Sequence, residues 1–172
     1  MQSNSKKGKE NPVIQLMMIT HLSVKMLDES EKLPKLPDDG KIEVFLFNAL
    51  LTKRFLHISN SALFVEIQED YNNLLVVYLT KIGLNNKVSG YLDFMNSRTK
   101  FFGDEIESMY LNENWLPSRL YSVFYENPLT DNIEPSFNPV KMIIFLTSLQ
   151  SMIEFISRSV DIFVKTHDSL EN

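Results

Sequence analysis

Two groups of acidic side chains are the first residues in this sequence whose types and spacing could do chemistry. They are Glu66, Glu69 and Asp70, and Asp104, Glu105 and Glu107. Paired carboxylates can exchange protons with a substrate or bind a divalent cation, and carboxylates three or four residues apart share one face of a helix. Because neither group is accompanied by a histidine or a glycine-rich turn, we predict that both are solvated helix surface.

The histidine, cysteine and glycine patterns argue against a catalytic or metal centre. His21, His57 and His167 are far apart, and none lies in the Glu-x-x-His pattern of a di-iron bundle. The chain has no cysteine, which excludes disulfides, thiolate zinc sites and cysteine nucleophiles. The sequence also lacks glycine-rich phosphate-binding loops and a Gly-x-Ser-x-Gly nucleophile motif. We therefore predict no catalytic residue, no metal and no cofactor, and an enzyme is the least supported class.

An aromatic cluster over residues 110–125 is the most suggestive binding feature. It contains Tyr110, Trp115, Tyr121, Phe124 and Tyr125. Aromatic walls with a single guanidinium, that of Arg119, could hold a small planar or anionic ligand. The candidate ligand-binding residues are Trp115, Arg119, Tyr121 and Tyr125. The alternative is that Trp115 and Phe124 anchor a short helix to the body while the tyrosine hydroxyls reach water.

Composition and charge indicate an ordinary globular protein that does not bind nucleic acid. Hydrophobic residues make up 44% of the chain and charged residues 23%. The net charge is −5, and residues 60–140 carry five Lys/Arg against eleven Asp/Glu. Nucleic-acid binding needs a basic face. We predict a cytoplasmic protein with a disordered polar tail over residues 1–11 and a single helical domain over 12–168.

Helical spacing and turn residues place the first five elements of this domain. Asn11-Pro12 opens a helix with a wide apolar face that includes Leu22 and Met26, and a Pro-rich linker spans 30–40. Further helices are expected over about 41–57, 61–83, 88–112 and 117–126. Residues 42–47 could also form a strand. The helix over 88–112 is expected to bury Leu92, Met95, Thr99, Phe102, Ile106 and Met109, unless it breaks at Gly103.

The last predicted helix spans roughly 139–167 and follows an irregular crossing segment over 127–139. We expect the crossing segment to pack on the body of the domain through Leu129, Ile133 and Phe137. The helix carries an unbroken stripe at intervals of four and three, namely Met142, Leu146, Leu149, Ile153, Ile156, Val160 and Phe163. Glu154, Arg158 and Asp161 lie in its most apolar window, so we predict a core helix and not a membrane span.

The stripe of the last helix could form a dimer seam, but apolar residues beside it widen the face and favour a core role. A residual face around Phe155 and Ile162 is then the candidate partner interface. The sequence thus predicts an all-α, five- to six-helix irregular bundle with a long C-terminal central helix.

Two functional classes follow from this architecture. The first is a non-enzymatic adaptor, regulator or inhibitor that binds another protein or a second copy of itself; the second is a receptor that uses the aromatic cluster. An interaction protein should expose an apolar or one-signed patch, whereas a receptor should enclose a pocket with Arg119 or a tyrosine hydroxyl pointing inward. An enzyme should bring buried ionisable groups close together.

Overall fold

The computed structural model describes residues 11–130, 133–136 and 138–171, and these ranges form α-helices joined by short connections. The helices are α1 (Pro12–Asp28), α2 (Asp38–Ser59), α3 (Ser61–Lys81), α4 (Leu84–Lys87), α5 (Tyr91–Leu111), α6 (Ser118–Tyr121) and α7 (Pro139–Glu171). A π-helical turn, Ser122–Glu126, continues α6. The all-α fold class is confirmed over the described ranges. Residues 1–10 of the predicted tail over 1–11 lie outside these ranges, as does Phe137, which was expected to pack on the body.

Local capping explains where the first helices begin and end. Asn11 Oδ1 accepts a hydrogen bond from the Val13 amide at 2.9 Å, and Pro12 occupies the first turn. Asn60 Oδ1 accepts a hydrogen bond from the Leu63 amide at 3.0 Å, at the junction of α2 and α3. Gly83 follows α3 with a φ of +79°, a conformation that suits glycine. These boundaries agree with the predicted ones within a few residues.

Helix α2 begins at Asp38, within the predicted linker over residues 30–40. Asp38, Asp39 and Gly40 form the first helical turn, and Pro37 precedes it. Carboxylates in the first turn of a helix are stabilised by the positive end of the helix dipole, which explains why this acidic segment is helical. Residues 42–47 are also helical, so the alternative interpretation as a strand is wrong.

Helix α2 is the most enclosed element of the fold. Every residue from Ile42 to Ala49 is buried, because α2 packs against α1, α3, α5, α7 and the π-helical turn. The long helix α7 packs against α1, α2 and α6, as the wide apolar face predicted. The centre of the bundle is therefore shared by α2 and α7.

Helix α5 is continuous through Gly103, and its buried face differs from the predicted stripe. The buried residues of α5 are Phe94, Arg98, Phe101, Phe102, Glu105 and Ile106. Of the predicted stripe, Leu92 is 74% exposed, whereas Phe102 and Ile106 are buried. The reason is that Arg98 and Glu105 are buried as charged groups, and an apolar pattern does not include them.

By length and apolar composition alone, α7 could also span a membrane. Within the described part of the chain, Pro139–Ser169 is the one helix long and apolar enough to cross a bilayer, with a mean hydropathy of 1.4. Core helices of soluble proteins meet the same criterion. Phe145, Leu149, Met152, Ile156 and Val160 of α7 are fully buried in the bundle, whereas only 28% of its most apolar window as a whole is buried.

A hydrogen-bond network of buried hydroxyl groups joins α1, α2 and α3. Thr20 Oγ1 lies 2.8 Å from the Tyr71 hydroxyl and 3.2 Å from Thr52 Oγ1, and it donates to the Leu16 carbonyl at 3.0 Å. Burial raises the pKa of Tyr71 to about 12, although the threonine hydroxyls oppose the shift. The phenol is therefore held in its neutral form in the folded protein.

We expect the stability of the protein to fall as the pH rises from 10 to 12. In this interval the unfolded chain releases the Tyr71 proton while the folded chain retains it, so the loss reaches about 2–3 kcal/mol from Tyr71 alone. Tyr71→Phe should have a shallower decline over the same interval. Urea unfolding at a series of pH values measures this, and identical slopes for the two proteins would contradict it.

Replacing Gly40 by alanine should destabilise the protein, whereas replacing Gly103 should not. A β-carbon at Gly40 would lie 2.0 Å from the backbone oxygen of Phe124, so α2 and the π-helical turn would have to separate. A β-carbon at Gly103 meets no described atom within 4 Å. We expect Gly40→Ala to lower the free energy of unfolding by about 2–3 kcal/mol and Gly103→Ala to raise it by about 0.5–1 kcal/mol. Urea denaturation of both variants provides the comparison, and equal effects would show that Gly40 is not sterically required.

Candidate functional site

The predicted ligand-binding residues of the aromatic cluster fall into two pairs. Trp115 Nε1 and Arg119 Nη1 donate hydrogen bonds to Glu105, each at 3.0 Å. Tyr121 stacks on Tyr125, with ring centroids 4.9 Å apart. Both tyrosine rings also meet the edge or face of Phe145 on α7. The cluster therefore packs α6 and the π-helical turn against the body.

Arg119 is already engaged by protein groups. Its guanidinium pairs with the Glu105 carboxylate and lies 4.8 Å above the centre of the Phe101 ring. An anionic ligand at this position would have to compete with Glu105. Tyr125 places its hydroxyl in the interior without a hydrogen-bond partner among the described residues, and burial raises its pKa. The expectation that this hydroxyl reaches water is therefore wrong. The role of these residues in ligand binding stays a prediction, but their contacts have a packing explanation.

Glu105 was predicted to be solvated, and this is wrong. Glu105 is 5% exposed. Burial raises the pKa of its carboxyl group, while Trp115 and Arg119 oppose the shift. The sequence could not show this because both partners lie ten or more residues further along the chain. Its neighbours Asp104 and Glu107 are exposed, as predicted. The described residues contain no group of three or more acidic or histidine side chains arranged to hold a metal ion.

A buried ion pair between α2 and α5 is the charged cluster that sequence reasoning missed. Glu43 is 0% exposed and Arg98 1% exposed. Arg98 Nη2 lies 2.8 Å from Glu43 Oε1, and Arg98 Nε donates to both carboxylate oxygens at 2.9 and 3.0 Å. The guanidinium also lies 4.9 Å from the centre of the Phe94 ring. The only sequence signal was a charged residue at a position whose helical neighbours are apolar.

This ion pair also holds the crossing segment after the π-helical turn. The Leu129 amide donates to Glu43 Oε1 at 2.8 Å, and Arg98 Nη2 donates to the Thr130 carbonyl at 2.6 Å. Leu129 has a φ of +58°, which is costly for a branched side chain. Leu129 and Ile133 pack against the core, as predicted. Burial raises the pKa of the Glu43 carboxyl group, while Arg98 and the Leu129 amide oppose the shift. The pair therefore joins α2, α5 and the crossing segment.

A ridge of exposed apolar side chains on α1 is the surface feature best suited to binding. Ile14, Met18, Leu22 and Met26 are 52%, 56%, 44% and 36% exposed. Residues four apart form a continuous ridge on a helix. The helical spacing places Leu22 and Met26 in the packed face of the first helix, but the structure exposes both residues. We call these four residues the α1 ridge.

Two apolar grooves flank the α1 ridge, one on each side. The α1–α3 groove has a volume of about 350 Å³, and its walls include Met17, Phe45 and Leu74. The α1–α7 groove has a volume of about 390 Å³, and its walls include Ile19 and Phe163. Both are open to solvent. The side chains of a second helix can pack into the grooves on either side of such a ridge.

The structure brings only one of the two predicted interface residues to this face. Ile162 lines the α1–α7 groove and is 65% exposed. Phe155 is half-buried and packs against the core. The predicted residual face of α7 thus continues onto α1 at Ile162 and not at Phe155.

The α1–α3 groove leads into a more polar pocket of about 330 Å³ near the C-terminal end of α1. His21, Phe45 and Tyr78 line both spaces. Lys41 in the polar pocket pairs with Asp28 at 3.5 Å, whereas Lys25 is exposed at its edge. The binding face therefore changes from apolar to charged along its length.

Comparison with known proteins gives no further guide, since no family model, curated protein or solved structure matches this chain. Among the surfaces above, the α1 ridge is the one that is exposed, apolar and regularly spaced along a helix.

Breaking the buried ion pair should be far more costly than breaking a surface pair. We expect Glu43→Gln or Arg98→Met to lower the free energy of unfolding by about 3–5 kcal/mol, because each leaves a buried charge without its partner. The double variant should cost less than the sum of the two single changes. Chemical denaturation of the three variants measures this coupling.

The matched control is the exposed pair Glu154 and Arg158 on α7, whose charged atoms lie 3.4 Å apart. Glu154→Gln and Arg158→Met should each change stability by about 0.5 kcal/mol or less. If Glu43→Gln has as small an effect as Glu154→Gln, the buried pair does not have the structural role described here.

Proposed function

We propose that this domain is a non-enzymatic interaction protein that binds an amphipathic helix of a partner protein on the α1 ridge. The observation that supports this function is the line of four exposed apolar side chains at four-residue intervals, flanked by two apolar grooves. Contiguous exposed apolar surface is typical of protein interaction sites. The other members of the same functional class, a regulator or inhibitor, would use the same surface.

A helix fits this face better than an extended peptide does. Extended peptides are usually bound at an exposed sheet edge, and the described residues contain no strand. A ridge of residues at four-residue spacing packs into the matching groove of a second helix at a defined crossing angle. From Ile14 to Met26 the ridge is about 18 Å long, which matches about three turns of a partner helix.

Methionine in the ridge and grooves favours an adaptable apolar contact. Met17 lines the α1–α3 groove, and Met18 lines both grooves. Methionine side chains are flexible and polarisable, and they are common on surfaces that accept varied helical partners. The α1–α7 groove adds only neutral polar residues, such as Ser159 and Thr166. Shape and apolar area would therefore select the partner along most of the ridge.

Charge favours a partner of different sequence over a second copy of α1. Lys25 is exposed beside the ridge, and α1 carries no acidic residue before Asp28. A second α1 would therefore offer no carboxylate to Lys25 along the ridge, whereas a partner helix with an acidic flank would. Such a flank would add a weak, salt-sensitive contact at the rim of the interface.

The alternative function, a receptor that uses the aromatic cluster, has less support. Arg119 is paired with Glu105, and the stacked tyrosines pack on Phe145. A ligand would have to displace contacts that already join α6 to the body. The α1 ridge requires no such displacement.

The proposal predicts that Leu22→Asp weakens helix binding by at least tenfold. The probe is a synthetic 18-residue amphipathic peptide with leucines at four-residue spacing and glutamates beside them. We expect it to bind more tightly than a scrambled peptide or a peptide with lysines in place of the glutamates. Fluorescence anisotropy of the labelled peptides measures the affinities. Leu92→Asp, on exposed α5 surface, is the matched control and should bind like the unaltered protein.

Three results would count against this function. The acidic peptide could fail to bind, or the Leu22 and Leu92 variants could bind it equally well. Light scattering could instead show a dimer that Leu22→Asp dissociates and Leu92→Asp does not. In that last case a second copy of the chain, and not a different protein, occupies the ridge.

A further inference from the structure

A cavity between α3 and α5, above α2, is separate from the α1 ridge. Both helices pack on α2, and they leave a space of about 200 Å³ between them. Its walls are mostly apolar and include Leu50, Leu75 and Phe102. An apolar cavity of about 150 Å³ can hold benzene, so this space suits a short aliphatic chain.

Lys53 supplies a half-buried cation at this cavity. Its Nζ donates to Asn72 Oδ1 at 3.0 Å in a hydrogen bond that solvent reaches, since Asn72 is exposed. Both residues line the space. Asn72 is neutral, so it stabilises the ammonium without balancing its charge. Burial accordingly lowers the pKa of Lys53. A bound anion would supply the opposite charge that this ammonium group does not receive from Asn72.

Arg98 also lines the cavity but adds no net charge to it. Its guanidinium is paired with the Glu43 carboxylate at 2.8 Å. The net positive charge of the wall therefore comes from Lys53. A single cation at one side of an apolar space matches a ligand with one negative group and an apolar chain.

We propose that this cavity binds a short aliphatic carboxylate. The chain would lie between Leu50, Leu75 and Phe102, and the carboxylate would accept hydrogen bonds from Lys53 Nζ and Asn72 Nδ2. The space is smaller than the roughly 300–1,000 Å³ pockets that hold nucleotides and other drug-sized ligands. Apolar walls also disfavour phosphate and other strongly hydrated dianions.

Titration with sodium hexanoate tests this assignment. We expect amide NMR shifts confined to residues 46–53, 72–76 and 95–102, which surround the cavity. Hexan-1-ol and acetate should bind at least tenfold more weakly, because the first lacks the charge and the second the chain. Hexylammonium should not bind, since its charge is that of Lys53.

Two pairs of variants separate ligand binding from general effects on the fold. Lys53→Met should weaken hexanoate binding at least tenfold, whereas Lys100→Met, at an exposed position of α5, should not. Val76→Phe should block the cavity that Val76 lines, whereas Val77→Phe should not, because Val77 is exposed to a similar degree but does not line the cavity. Thermal melts of the four variants identify any that fail to fold. If a variant of one pair fails to fold, the other pair shows whether hexanoate binds in the cavity.

The assignment is overturned if millimolar hexanoate leaves the cavity amides unshifted. It is equally overturned if Lys53→Met binds hexanoate as tightly as the unaltered protein, or if the shifts map to Met18 and Leu22 of the α1 ridge. None of these results depends on whether a partner helix binds the ridge, so the two proposals can fail separately.

Discussion

The enclosure of α2 is the constraint on which the arrangement of the other helices depends. Four helices and the π-helical turn cover it, and they bury the Glu43 carboxylate completely, with 0% of the residue exposed. A buried carboxylate requires a cation and hydrogen-bond donors. Arg98 and the Leu129 amide satisfy that requirement. The position of α5 and the course of the crossing segment are thereby linked to one charge in the core.

The same packing determines which surfaces remain for binding. Because α1 covers α2 with one face only, its opposite face turns outward and presents the α1 ridge. Because α3 and α5 meet α2 at separate positions, the cavity beside Lys53 remains between them. Both proposed binding features therefore follow from how helices of ordinary width fit around one enclosed helix, and neither requires a specialised loop.

Much of the secondary structure could be predicted because its causes are local. Asn11 and Asn60 cap helices through their own side chains, and the apolar stripe of α7 repeats without a miss from Met142 to Phe163. Such signals act within one or two turns of the chain. The first turn of α2 was missed because Asp38 and Gly40 also suit a loop, and only the packing of the turn distinguishes the two.

Burial of charged residues could not be predicted in the same way. Glu105 was assigned to solvent because it stands among other acidic residues, and its partners Trp115 and Arg119 belong to a different element. The exposed ridge was missed for the converse reason. Leu22 and Met26 look like core positions until the neighbours of α1 are known.

The sequence by itself determined the all-α class, the helix boundaries near capping residues and the lack of thiol chemistry. These properties depend on backbone preferences, short-range hydrogen bonds and composition. Only the tertiary structure decided that Glu43 pairs with Arg98 across 55 residues and that the α1 ridge faces solvent. The physical reason is that burial is a property of neighbours in space, and sequence spacing reports only neighbours along the same helix.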